Sequence, residues 1–468
     1  MLRVILSNSS ASFFRGHFMR TLIHLLLLAT LTACGGGGGG SSAPAEPETG
    51  TEACSNDGQK QFVLDNLYAW YLWNDLLPPG ISIADYATPE ELVREVTRQF
   101  GPQDANGNPI DFFSSVGSAQ ADSEFFGEGK FEGFGFSYRI LDQAGEDIRL
   151  SRVFSGSPAE NGGLGRGQQF VSLDGRSIAD IQANEGIGAI FDNTTVLFEM
   201  RRPDGTVFSS SITKDVVTID PVPQHRIIDV GNGVMVGYME LSQFISTADP
   251  VFDTVFAEFI TVGVDDVIID LRYNGGGLVS TANLLGDYLG AFVNDGRVFS
   301  EMRFNADRAA ANNSTEFFQR QGNSIDLGRL VIIATSGTAS ASELVTNSLE
   351  AYFDVTIVGA NTFGKPVGQI GLTFCEKILR PTSFRTVNAA GEGDYFDGLP
   401  VDCAAPDDLN FAVGADDDPN MVAAMTYLNT GACPVAAGPS GQFKVDGDIG
   451  AEKRDRRGPA HREFADAY

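Results

Sequence analysis

The chain has 468 residues, 43% of them hydrophobic and 10% aromatic, enough to bury two or three cores. A formal net charge of -29 argues against nucleic acid or an anionic membrane surface as partners, since both require a basic face. Only four histidines occur, and no Cys-x-x-Cys or His-Glu cluster suggests a metal site or a cofactor.

Read from the N-terminus, Arg20 precedes an apolar run from Leu22 to Leu31. The run has the length of a signal-peptide core and is too short for a permanent transmembrane helix. Met19 makes a better start for such a segment than Met1. The run ends in Leu31-Thr32-Ala33-Cys34, which resembles a bacterial lipobox, in which Cys34 is lipidated and becomes the mature N-terminus. Six glycines, Gly35 to Gly40, then Ser41 and Ser42, form a flexible tether. These features imply a signal peptide over 1–34, a tether over 35–51, and a protein held to a membrane by its lipid. The expected location is the bacterial cell envelope, facing the periplasm or outside; Gly35 after Cys34 favours the outer membrane in a diderm. The remaining Cys54, Cys375, Cys403 and Cys433 suit an oxidising compartment and allow three pairings. The shorter loop favours Cys375 with Cys403, leaving Cys54 with Cys433.

From about Gln59 to Phe100 the pattern is helical: Phe62, Leu64, Leu67, Trp70, Leu72 and Trp73 give an aromatic-rich stripe read as core, and Thr88 is an N-cap before Pro89-Glu90-Glu91. Residues 52–127 are expected to form a helical N-terminal domain. Asp104 to Asn108 lacks the spacing of a calcium loop and is read as a turn. Beyond it, Phe131-Glu132-Gly133-Phe134-Gly135-Phe136, then Arg152 to Glu160, Gly163-Leu164-Gly165-Arg166-Gly167 and Asp174-Gly175, resemble a PDZ domain over 128–215. The resemblance makes Gly133, Phe134, Gly135 and Phe136 a carboxylate-binding loop whose backbone N–H groups receive a peptide C-terminus. A hairpin-rich β domain of another kind is the alternative.

After Asp220-Pro221, Val234 to Leu241 reads as a strand and Val251, Val255, Phe256 and Ile260 as a helix. The apolar run Val267 to Leu271 leads into Arg272-Tyr273-Asn274-Gly275-Gly276-Gly277 and a further helix through Leu278, Ala282, Leu285 and Tyr288. A glycine turn between strand and helix leaves N–H groups free to hold an anion or oxyanion, and the absence of Lys-Ser or Lys-Thr after it rules out a phosphate-binding loop. Val331 to Ala334 is another buried strand, followed by Thr338-Ala339-Ser340-Ala341-Ser342-Glu343 and a helix using Leu344, Val345, Leu349 and Tyr352. A last strand, Val355 to Val358, enters the loop Gly359 to Gln369.

Ser340-x-x-Glu343 fits a helix capping box, which is a purely structural role. Lys365 and Gln369 open a second reading, because a lysine whose pKa falls toward roughly 7 to 8 by burial can act as base for a serine. His225 is the one histidine placed to serve a Ser-His-Asp arrangement, His17 and His24 lying in the export segment and His461 in the polar tail. Lys365 follows Ser340 by 25 residues, and Gln369 follows Lys365 by four. Residue types and spacing together resemble the carboxyl-terminal processing peptidases, or tail-specific proteases. The resemblance implies Ser340 as nucleophile, Lys365 as base, Gln369 as its orienting partner, and an oxyanion hole from the amides of Gly276 and Ala341. Thr338 stands where the family has serine, and Gly275 where it often has proline, which leaves the choice between Gly276 and Gly277 open.

The same resemblance implies a multi-domain α+β protein whose protease core, 216–435, has the α/β crotonase-like arrangement, with Asp397 to Asp402 as closing segment and a disordered tail over 436–468. The expected function is a lipid-anchored serine endopeptidase acting on polypeptides with accessible C-termini. The rival from another class is a PDZ adaptor that binds peptides without cutting, or cuts only when a partner aligns it; a crotonase-type enzyme acting on acyl thioesters would need neither serine nor lysine.

Overall fold

In the computed structural model, residues 52–231 and 233–434 are described; Cys34, the glycine tether and the tail from 436 lie outside them. The central sheet follows the order Gln224–Asp229, Met235–Glu240, Asp266–Asp270, Leu330–Ala334, Val355–Gly359 and Cys403–Ala404. The first two strands pair antiparallel and every later pair is parallel. Asp266–Asp270 and Leu330–Ala334 are buried at every residue, because helices cover both faces, as their unbroken apolar runs demand. Alternate residues serve the two sides: Ile269 and Ile332 join the core with Phe252, Phe256 and Leu285, whereas Ile268 and Val331 join Met421 and Leu428 of the helix Pro419–Thr430. The parallel strands bring the Arg272 to Gly277 loop, the Ser340 turn and the Gly359 to Lys365 loop to one end of the sheet, their C-terminal end. A second sheet, Ser314–Phe317, Val298–Phe304, Thr382–Asn388 and Val367–Gln369, carries Gln369.

Within 128–215, a sheet in the order Phe136–Ile140, Ile148–Val153, Gln169–Leu173, Thr195–Arg201 and Val207–Thr213 packs with the short helices Ile178–Asn184 and Ile187–Ile190 around Phe134, Phe136, Phe170, Phe191 and Phe198. Among the described residues, Phe136–Ile140 is an edge strand of that sheet.

The N-terminal region departs from the purely helical expectation. Helices Asn56–Trp70 and Pro89–Phe100 form, the second capped by Thr88, whose Oγ1 accepts the Glu91 N–H at 3.1 Å. Their core, however, is completed by a three-stranded sheet of Ser115–Ser118, Lys377–Arg380 and Leu372–Phe374, so that Val63, Leu67, Leu92 and Val96 share a cluster with Phe374 and Leu379. Pairing across more than 250 residues leaves no local periodicity to read. Asp104 forms a turn as expected, its Oδ1 accepting the N–H groups of Asn106 and Asn108.

The disulfides are Cys54–Cys375 and Cys403–Cys433, not the pairs expected. Phe62 stacks on Phe374 at 4.5 Å between ring centroids, which brings the start of the first helix to the hairpin turn at Cys375. The helix Pro419–Thr430 lies on the sheet that ends in Cys403, which brings Cys433 to it. Loop length could not decide: the observed pair closes 30 residues, two more than the expected one. Non-reducing peptide mapping should recover these two cross-links, and the double substitution Cys54→Ser with Cys375→Ser should lower unfolding stability by about 2–4 kcal/mol in denaturant titration.

Candidate active site

Ser340 lies between the strand Leu330–Ala334 and the helix Ala341–Glu350, with φ of +55°. A non-glycine residue in that region costs about 1–3 kcal/mol and persists where its surroundings over-determine it. Here they do. The Ala339 N–H donates to Asn274 O at 3.0 Å, and the Ser340 N–H donates to Glu343 Oε2 at 2.8 Å. This bond is the Glu343 half of the capping box expected from Ser340-x-x-Glu343. Thr338, the departure from the family pattern, keeps a hydroxyl in use: its Oγ1 donates to Leu271 O at 2.7 Å and accepts the Thr335 N–H at 3.0 Å.

Glu343 does far more than cap a helix. Besides Ser340 it accepts the N–H groups of Gly364 (2.6 Å) and Lys365 (2.8 Å) and the Thr362 hydroxyl (2.6 Å). One buried carboxylate thus ties the backbone of the serine to that of the lysine. Burial pushes its pKa up, and its four donors oppose the shift. The capping pattern was visible in the sequence; the three bonds to the lysine loop were not.

Lys365 follows Gly364, whose φ of +94° and whose contact with the 395–399 segment, 2.3 Å from a would-be Cβ to Phe396 O, leave no room for a side chain. The Lys365 amine donates to Gln369 Oε1 at 2.9 Å. The Gln369 amide nitrogen donates to Phe113 O at 2.8 Å and Arg380 O at 2.9 Å. With both donors committed to carbonyls, the amide oxygen must face the lysine. Burial pulls the Lys365 pKa down to about 8; Asp111 opposes this most strongly, Arg380 reinforces it and Glu343 opposes it more weakly.

Gly276 sits against the serine: a Cβ there would fall 2.7 Å from Ser340 Cβ and 2.8 Å from the Ala341 nitrogen. Its own N–H, expected as an oxyanion donor, is already bonded to Asn274 Oδ1 at 2.9 Å. Asn274, which the sequence reading passed over, also accepts the Ser342 hydroxyl at 3.1 Å and donates to Leu241 O at 2.8 Å, fastening the glycine loop to the serine turn. His225 lies on the strand Gln224–Asp229 and meets Glu258 at 3.1 Å, apart from this group of contacts.

In the loop expected to bind a C-terminus, Phe134 and Phe136 are buried in the aromatic core. Gly135 has φ of +86° and packs on Ser157.

Residues 235–399 match the model of peptidase family S41, and residues 58–114 match the S41 N-terminal domain. The chain is 28% identical over 243 residues to a carboxyl-terminal-processing protease of Synechocystis, covering 51% of this chain and 53% of that one. It is 24% identical over 272 residues to the carboxy-terminal processing protease CtpA of Bacillus subtilis, covering 58% and 55%. The chain therefore spans about half the length of these curated relatives. A solved Bacteroides fragilis protein assigned to the S41 proteases shares the fold, with a TM-score of 0.61 at 23% identity, over 79% of this chain and 97% of that one.

Two substitutions test the assembly. Glu343→Gln places an amide among four donors and should cost about 2–4 kcal/mol of stability and, in the reading proposed below, lower turnover at least about 100-fold. Gly276→Ala forces a Cβ onto Ser340 and should abolish turnover; thermal unfolding beside steady-state kinetics separates the two effects.

Proposed function

Because the chain belongs to peptidase family S41, we propose that it is a serine endopeptidase in which Ser340 is the nucleophile and Lys365 the general base. The observation that carries this reading is the Lys365 amine: its pKa is lowered to about 8, Gln369 orients it, and its backbone hangs on the carboxylate that fixes Ser340. Unprotonated Lys365 takes the proton of the Ser340 hydroxyl as Oγ attacks the scissile carbonyl. The oxyanion is held by the Ala341 amide together with that of Gly276 or Gly277. The Lys365 ammonium then protonates the departing amine, and the free amine activates the water that hydrolyses the acyl-enzyme. Gln369 accepts from the lysine throughout and keeps it aimed.

The substrates in this reading are polypeptides cut near accessible C-termini; the relatives are named for carboxyl-terminal processing. Residues 128–215 serve as the PDZ domain: a peptide adds as a strand beside Phe136–Ile140, its terminal carboxylate received by the backbone of Gly133 to Phe136. The core takes the crotonase-like arrangement, and lipid on Cys34 anchors the protein in the cell envelope. Changing Cys34→Ser should move the protein from the membrane fraction to the soluble one.

Cleavage of unfolded casein should fall at least about 1000-fold in Ser340→Ala and in Lys365→Ala while both remain folded. A Lys365→Ala variant that keeps most activity would refute Lys365 as the base. The reaction needs the neutral amine, so kcat/KM should be half-maximal near pH 8 and drop about tenfold per pH unit below it. A profile flat across that range would refute a lysine base.

A further inference from the structure

We propose that the segment Asp111–Phe113, contributed by the N-terminal domain rather than by the protease core, is a positioning element for Lys365, so that the base is correctly held only when that domain is docked. The inference rests on the serine–lysine reading above. Four observations converge on it. The Phe113 carbonyl is one of the two acceptors that orient Gln369. The Phe113 ring lies beside the Lys365 amine, 4.9 Å from centroid to Nζ. The same ring belongs to a cluster with Ala339 of the serine turn and Phe363 and Val367 of the lysine loop. Lastly, the segment is clamped by Asp111, which is fully buried and accepts the Phe113 N–H (2.9 Å), the Ser114 N–H (3.2 Å), the Ser114 hydroxyl (2.6 Å) and the Thr382 hydroxyl (2.9 Å).

Every partner of Asp111 is a donor, as an ionised carboxylate requires. Thr382 stands opposite Gln369 in the adjoining strand, so the clamp closes directly onto the orienting glutamine. The second acceptor of Gln369 is tied to the same domain: Arg380 pairs with Ser115 in the three-stranded sheet, and its Nη2 lies 2.6 Å from Asp122. Both carbonyls that aim Gln369 therefore depend on docking of residues 111–122.

The charged groups acting on Lys365 are Asp111, Arg380 and Glu343. Asp111 and the Phe113 ring both favour the protonated amine, the first through its charge and the second through its π face. Removing either moves ionisation of the lysine toward lower pH, while loosening the segment slows proton transfer. Loss of a merely structural contact would do neither to the molecules that remain folded.

The test reacts the full mature chain with a fluorophosphonate, which acylation-competent serines attack without a peptide substrate, and follows the Ser340 adduct by intact mass across a pH range spanning 8. Wild type should label with a midpoint near 8. Asp111→Asn should lower the midpoint by ~0.5 unit or more and the plateau rate about tenfold. Phe113→Leu, which keeps the carbonyl and most of the apolar volume, should shift both in the same directions and decides the matter if Asp111→Asn does not fold. Variants with a reduced Tm but the wild-type midpoint and plateau would overturn the positioning role. Wild type that fails to label, or labels no faster than Ser340→Ala, would instead refute the serine–lysine reading itself.

Discussion

The buried carboxylate of Glu343 is the interaction on which the candidate site depends. Withdrawing a carboxylate from water costs several kcal/mol unless hydrogen bonds replace the lost hydration. Four donors do so here, three of them backbone N–H groups drawn from two separate loops. Because the two loops share one carboxylate, Ser340 and Lys365 on Oε2 and Thr362 and Gly364 on Oε1, neither can shift without leaving part of the charge unmet. This holds Ser340 in a backbone conformation that an L-residue rarely adopts. It also fixes the peptide from which Lys365 rises.

A second buried charge system supports the facing loop. Arg272 is inaccessible to solvent and holds Asp270 and Asp418, each at 2.6 Å. It thereby pins the strand end from which Tyr273, Asn274 and the three glycines depart, and it joins that end to the helix Pro419–Thr430 through Asp418, the N-cap of that helix. Asn274 then passes the constraint to the serine turn through its own carbonyl, which accepts from Ala339 and Ser342. Ser340 is therefore braced from both sides: by Glu343 within its own helix and by the glycine loop across the sheet.

The apolar runs Val267 to Leu271 and Val331 to Ala334 were legible because a strand covered on both faces needs nothing but short-range composition. Thr88 was legible as a cap for the same local reason. The spacing of Ser340, Lys365 and Gln369 pointed to a shared site, and the contacts of Glu343 and Gln369 explain why that spacing can be kept. What the sequence did not disclose depends on chain segments far apart. The strand Ser115–Ser118 finds its partner more than 250 residues away. The disulfides follow from that docking and from helix packing rather than from loop length. Phe113 reads as one apolar residue among many until Gln369 is seen bonded to its carbonyl.

The central claim is that Glu343 holds Ser340 ready to be acylated beside two amide donors. A crystal structure of the protein trapped with a peptidyl boronate tests it most directly. The account predicts boron bonded to Ser340 Oγ, one boronate oxygen within hydrogen-bond reach of the Ala341 amide and of Gly276 or Gly277, and the four Glu343 bonds unchanged. Boron on another residue, or an adduct on Ser340 whose oxygens turn away from both amides, would contradict it.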